Sequence, residues 1–188
     1  MRQFLAVELP EPARNGLAGL RARLEPACPG WRWVRPESIH LTLRFLGEVA
    51  EEKDREIREL WQRAAETIGP LSFRLEEVGC FPQGRSPRVL WVGVHETSRG
   101  SRLTALAREM ELAAREAGFP AERRPFRPHL TLARAVRGRR PTVPLETGYS
   151  DPTEITVSEV VLFRADLRPT GARYTALTVF PLGGGRQG

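Results

Sequence analysis

His40-Leu41-Thr42-Leu43 and His129-Leu130-Thr131-Leu132 are one tetrapeptide written twice, almost half of a 188-residue chain apart. The chain has three histidines, and two of them fill the same slot of this repeat. In an extended strand, side chains alternate between faces, so each copy sets His and Thr on one side and its two leucines on the other. Each copy therefore predicts a strand with an apolar back for a core and a polar front. The front offers an imidazole that titrates near neutral pH, with a hydroxyl roughly 7 Å further along. Two such fronts brought together make an acid, a base and two hydrogen-bond donors.

Outward from the first copy, apolar residues at Ile39, Leu41, Leu43 and Phe45 predict a strand from 39 to 46, buried on that face and stopped by Gly47. Before it, Leu5, Val7 and Leu9 alternate in a strand from 3 to 9. Leu17, Leu20 and Leu24 stripe a helix that opens near Pro12 and ends by Pro26, and Trp31 to Val34 is extended. After it, a helix over about 51 to 67 carries Ile57, Leu60, Trp61, Ala64 and Ile68. Strands are expected at 71–81 and 89–94, and a helix at 102–117. The second copy predicts a strand from 129 to 136, and two more are expected near 153–163 and 174–182, before a flexible glycine-rich tail at 183–188. Each motif strand comes shortly after a helix ends. The expected fold is α+β: two pseudo-symmetric halves with mixed or antiparallel sheets and helices outside, forming one domain over 1–188.

Composition bounds the chemistry. Charged residues make up 28% of the chain and no apolar run approaches the roughly 20 residues that cross a bilayer, so a soluble protein without membrane association is expected. The start, Met1-Arg2-Gln3-Phe4-Leu5-Ala6-Val7-Glu8, is unlike a secretory signal, which makes cytoplasmic residence the expectation. Cys28 and Cys80 form no CxxC and read as reduced thiols. The net charge of +6 is almost wholly guanidinium, Lys53 being the single lysine, and Arg123, Arg124, Arg127, Arg134, Arg137, Arg139 and Arg140 cluster about the second motif. Planar guanidinium forks suit phosphate oxygens.

Two imidazoles sharing one proton near neutrality can act as acid and base, while paired hydroxyls and arginines bind phosphate oxygens and stabilise charge as it develops. That combination fits phosphodiester chemistry without a metal. No acidic or thiol residue accompanies His40 or His129 at ligand spacing, and neither GxxxxGK[ST] nor GxGxxG occurs.

The stretch from Trp33 to Gly47, WVRPESIHLTLRFLG, together with Arg127-Pro128-His129-Leu130-Thr131-Leu132-Ala133-Arg134, closely resembles the 2H phosphoesterase superfamily, and within it the RNA 2′,3′-cyclic phosphodiesterase branch, also called 2′-5′ RNA ligase. The likeness runs from the opening strand to Phe163-Arg164-Ala165-Asp166-Leu167 and Gly171-Ala172-Arg173-Tyr174. It implies a bilobal fold with both motifs facing a central cleft, and a cofactor-free enzyme, expected as a monomer, that opens RNA 2′,3′-cyclic phosphates to 2′-phosphomonoesters. By position, His40 would protonate the departing 3′ oxygen, His129 would activate water, and Thr42 and Thr131 would hold nonbridging oxygens. With the roles reversed, 2′-5′ ligation would proceed without a nucleoside triphosphate.

Arg134 matches the arginine that follows the branch's second motif, as a further phosphate contact. It lies five positions beyond His129, an odd step that turns it to the opposite face unless a bulge intervenes. Strand parity likewise sends Arg44 toward the cleft and Phe45 into the core. Trp31 and Trp33 read as packing residues, with base stacking the other use, and His95 as a strand-end surface residue. Two rivals stay open: a basic RNA-binding module without catalysis, and a 2H phosphodiesterase acting on a small cyclic phosphate, such as ADP-ribose 1″,2″-cyclic phosphate, or on a 2′-5′ oligonucleotide.

Overall fold

The computed structural model describes residues 1–84, 86–144, 148–168 and 171–183. In chain order the elements are β1 (Arg2–Glu8), α1 (Glu11–Leu24), β2 (Trp31–Trp33), β3 (His40–Glu48), α2 (Glu51–Glu66), β4 (Leu71–Phe81), β5 (Val89–Glu96), α3 (Arg102–Glu116), β6 (His129–Ala135), β7 (Ser150–Val157), β8 (Glu159–Arg168) and β9 (Gly171–Pro181). Except for Gly183, the tail expected at 183–188 lies outside the described residues.

All the strands join one sheet in the order β7-β4-β5-β6-β3-β1-β8-β9, with β2 added beside β6. Every described pairing is antiparallel, which is the antiparallel rather than the mixed form of the expected α+β fold. The order divides into two wings of like construction, β3-β1-β8-β9 and β6-β5-β4-β7, with the motif strands innermost in each. The wings meet at a short seam: Leu41↔Leu130 is the described pair between β3 and β6.

The leucine backs of the motifs point into a core that runs under both wings. Leu41, Leu43, Leu130 and Leu132 lie there with Leu17 and Leu20 of α1, Ile57 and Trp61 of α2, and Leu106 and Met110 of α3. The apolar stripes of all three helices thus face the sheet, as their 3.6-residue spacing requires. The Trp61 indole N–H donates to the Met110 carbonyl at 3.0 Å and ties α2 to α3. Trp31 and Trp33 pack on this side, Trp31 donating to the Thr142 carbonyl at 2.7 Å; packing is their use. His95 is exposed at the end of β5, as expected.

Three expectations are corrected. Gly47 does not stop the first motif strand; with φ +76° it lies within β3, opposite Gln3, and pairing runs on to Glu48. The strand expected over 153–163 is two strands that break at Ser158, β7 pairing with β4 in one wing and β8 with β1 in the other. One residue can link strands so far apart in sheet order because the sheet curls into a half-barrel. The third correction concerns Arg44 and Phe45 and belongs to the site.

Candidate active site

The polar fronts of the two motifs meet at the seam. Carried one residue either side of Leu41↔Leu130, antiparallel register sets His40 beside Thr131 and Thr42 beside His129. Directly opposed residues on one face have Cβ atoms roughly 4.5–5.5 Å apart and diagonal ones roughly 7–8 Å. The four side chains therefore outline a square with the imidazoles on one diagonal and the hydroxyls on the other, on the face opposite the helices.

Both imidazoles are held alike. His40 Nδ1 lies 2.9 Å from the Ser38 carbonyl oxygen, and His129 Nδ1 lies 2.7 Å from that of Arg127, the residue two earlier in each case. A carbonyl only accepts, so Nδ1 carries hydrogen in both rings and Nε2 is left to take or give a proton.

Their surroundings differ. His40 sits among aromatic rings: Phe4 at 4.7 Å, Tyr174 edge-on at 5.1 Å and Phe163 at 6.4 Å between centroids. Burial there disfavours its charged form and lowers its pKa to about 4; the Ser38 hydrogen bond opposes this, and the positive field of Arg134 adds to it. His129 meets the Phe81 ring edge-on at 5.2 Å, and Phe81 leans on Trp91 at 5.0 Å. Trp91 stands opposite Thr131, across the sheet from glycine: a Cβ on Gly79 would come within 2.3 Å of its ring.

Both motif strands bulge at the same step. Along β3, Thr42 pairs with Ala6 but Arg44 with Leu5, so Leu43 is skipped; along β6, Thr131 pairs with Trp91 but Ala133 with Leu90, so Leu132 is skipped. An extra residue in one strand reverses facing beyond it. Arg44 consequently turns to the helix side, where it is only 7% exposed, forms an ion pair with Glu111 of α3 and donates to the Pro120 carbonyl. Phe45 emerges on the front at 53% exposure, its ring 5.6 Å from Phe4. This reverses the faces expected for both residues. The same bulge in β6 brings Arg134, at the position corresponding to Phe45, onto the cleft face, where its charge reaches His40 and Tyr174.

The structure thus brings together His40, Thr42, His129, Thr131 and Arg134, and sends Arg44 elsewhere. The sequence reading missed Phe4, Tyr174, Trp91 and Phe81 as walls of the cleft. A signal existed for the first: Phe4-Leu5-Ala6-Val7 is apolar on both parities, the mark of a strand covered on both faces. Among the described residues no group of His, Cys, Asp and Glu is arranged to hold a metal ion. No helix among them is long and apolar enough to cross a membrane.

Comparison with known proteins places this geometry. Residues 7–91 and 94–174 match the LigT-like phosphoesterase family. A Thermus thermophilus protein named RNA 2′,3′-cyclic phosphodiesterase is 37% identical over 187 residues, covering 98% of this chain and 91% of that one. A Geobacillus stearothermophilus protein of the same name is 33% identical over 187 residues, 98% of this chain, but the chain spans only 58% of that protein's length. Among solved structures, that of a Thermus thermophilus protein superposes with a TM-score of 0.84 at 34% identity, covering 98% of this chain and 100% of that one. E. coli LigT complexed with 3′-AMP superposes with a TM-score of 0.78 at 30% identity, covering 96% and 97%.

Proposed function

The chain belongs to the LigT-like phosphoesterase family and is a phosphodiester hydrolase, and we propose that it opens RNA 2′,3′-cyclic phosphates to 2′-phosphomonoesters by paired-imidazole acid and base catalysis. The observation that carries this reading is the seam: two His-Thr fronts side by side on one face, each imidazole tied through Nδ1 so that Nε2 is its working atom.

In this reading the phosphorus centre lies over the square. His129 removes a proton from water as the water attacks phosphorus, and His40 delivers a proton to the 3′ oxygen as the P–O3′ bond breaks. Thr42 and Thr131 donate to the nonbridging oxygens, and Arg134 adds a charged donor for the negative charge that builds on them. The pKa of about 4 makes His40 neutral in the empty cleft at pH 7. An acid needs its proton, and the anionic phosphate supplies the reason for one to be there: its charge against Nε2 offsets the desolvation that otherwise excludes the imidazolium. With a 5′ hydroxyl in place of water the same roles give 2′-5′ joining: His129 takes the hydroxyl's proton and His40 again protonates the 3′ oxygen as P–O3′ breaks, and only the reverse cleavage exchanges them.

The test is to incubate the purified protein, with chelator present, with an oligonucleotide ending in a 2′,3′-cyclic phosphate, and to identify which hydroxyl keeps the phosphate. A 2′-phosphate is expected. A 3′-phosphate would mean the other ester bond had been cut and would overturn the assigned roles, and binding without product would favour a basic RNA-binding module.

A further inference from the structure

Beyond the catalytic square, β2 lies against β6 with Arg32 directly opposite Arg134. Trp31 and Trp33 go to the core from this short strand, so alternation puts Arg32 on the cleft face, where it is exposed. Like charges set opposite each other across a ladder are unfavourable. Among the described residues neither arginine is ion-paired with a carboxylate, and the neighbour of Arg134 on its other flank is the uncharged Val89. Two arginines without a carboxylate partner, set opposite each other by backbone pairing, offer their charge to an anion.

Position says which anion. β2 and β3 flank β6 on the same side, β3 at Leu130 and β2 at Ala133 to Ala135. Arg32 therefore lies roughly 7 Å further along the cleft than His40, about two residue steps in a strand, with Arg134 level with it on β6. We propose that Arg32, beside Arg134 on the reacting phosphate, binds a second phosphate, the internucleotide phosphate on the 5′ side of the terminal nucleoside, and so favours RNA ends over mononucleoside cyclic phosphates. This rests on the function proposed above and names its substrate class.

The experiment compares kcat/KM for a dinucleotide ending in a 2′,3′-cyclic phosphate with that for the matching mononucleoside 2′,3′-cyclic phosphate. Wild type favours the dinucleotide by about tenfold or more, the scale of one charge-assisted hydrogen bond. Arg32→Ala brings the ratio close to one through a higher KM for the dinucleotide, Arg32→Lys recovers part of it, and the Arg32→Ala protein melts no lower than wild type, because the substitution relieves a repulsion. A ratio that survives Arg32→Ala, or an equal loss on both substrates, overturns the subsite. If wild type opens neither substrate, the catalytic reading fails by itself. The subsite is then decided by binding of the 2′-phosphate-ended dinucleotide and mononucleotide across a salt series, where Arg32→Ala must abolish the dinucleotide's advantage and lower its salt slope by about 0.7.

Discussion

Acid should destabilise this protein through His40 in particular. The folded-state pKa of about 4 lies below the ordinary imidazole value of 6.5, the main cause being burial among Phe4, Phe163 and Tyr174. Between those values the unfolded chain binds a proton that the folded chain refuses. The stabilising contribution is therefore complete above about pH 6.5 and drains away as pH falls toward 4. A gap of about 2.5 pK units at 1.36 kcal/mol each is worth about 3 kcal/mol. Urea unfolding at steps from pH 7 to pH 4 should show wild type losing about that much more than His40→Gln, which lacks the titrating ring; the carboxylates that also respond to acid are common to both. Titration of the His40 ring protons by NMR gives the pKa directly, and saturating 2′-nucleotide product should move it upward, toward protonation at neutral pH. Parallel pH–stability curves for the two proteins, or an unliganded His40 that titrates near 6.5, would refute the reasoning and remove the need for the phosphate to bring the proton.

Other outcomes follow from the site and its supports. His40→Ala and His129→Ala should each lower kcat by roughly 10² to 10⁴ with the far-ultraviolet circular dichroism unchanged, and chelator should leave the wild-type rate intact; full activity in either variant would exclude that residue from proton transfer. Leu43→Ala should cost about 2–4 kcal/mol and Phe45→Ala no more than about 1 in urea unfolding, because Leu43 faces the core and the bulge exposes Phe45 beyond it; a cost at Phe45 as large as that at Leu43 would deny the bulge. Arg44→Met strands Glu111 beside α3 and releases the Pro120 carbonyl, for a loss of about 2–4 kcal/mol, and a change within 0.5 kcal/mol would show the ion pair to be idle. Gly79→Ala should displace Trp91 and be seen as an altered indole fluorescence together with a loss of about 1–3 kcal/mol; an unchanged emission spectrum would refute the contact.

The repeat carried most of what the sequence could say about the site, because two copies of a period-two pattern fix which side chains share a face before any contact is known. What parity could not give was the fate of residues beyond Leu43 and Leu132. A bulge inserts one residue into one strand only, and its presence is decided by the partner, β1 or β5, not by the bulged segment itself. Arg44, Phe45 and Arg134 all lie past that point, and all three reversed. The break at Ser158 was more legible than the expected strand over 153–163 allowed: Ile155 and Val157 alternate with polar, exposed residues, whereas Val160, Val161, Leu162 and Phe163 are apolar and buried on both parities, and that change marks a new strand. The aromatic walls were hidden for another reason. Phe4, Trp91 and Tyr174 come from three strands in both wings, and only the sheet order makes them neighbours of the seam.

Matching bulges on either side of Leu41↔Leu130 give the centre of the sheet an approximate dyad. A tetrahedral phosphodiester has a dyad of its own, which exchanges its two ester oxygens and its two free ones. Laid axis upon axis, such a group would meet interchangeable machinery at both esters, and nothing in the repeated residues could choose between them. The choice of bond then falls to whatever breaks the equivalence: a ring cage about one imidazole and an open flank about the other, and a phenylalanine where the opposite half carries a guanidinium. Regioselectivity in this architecture is a property of the scenery, and altering Phe45 or Tyr174 is the way to redirect it.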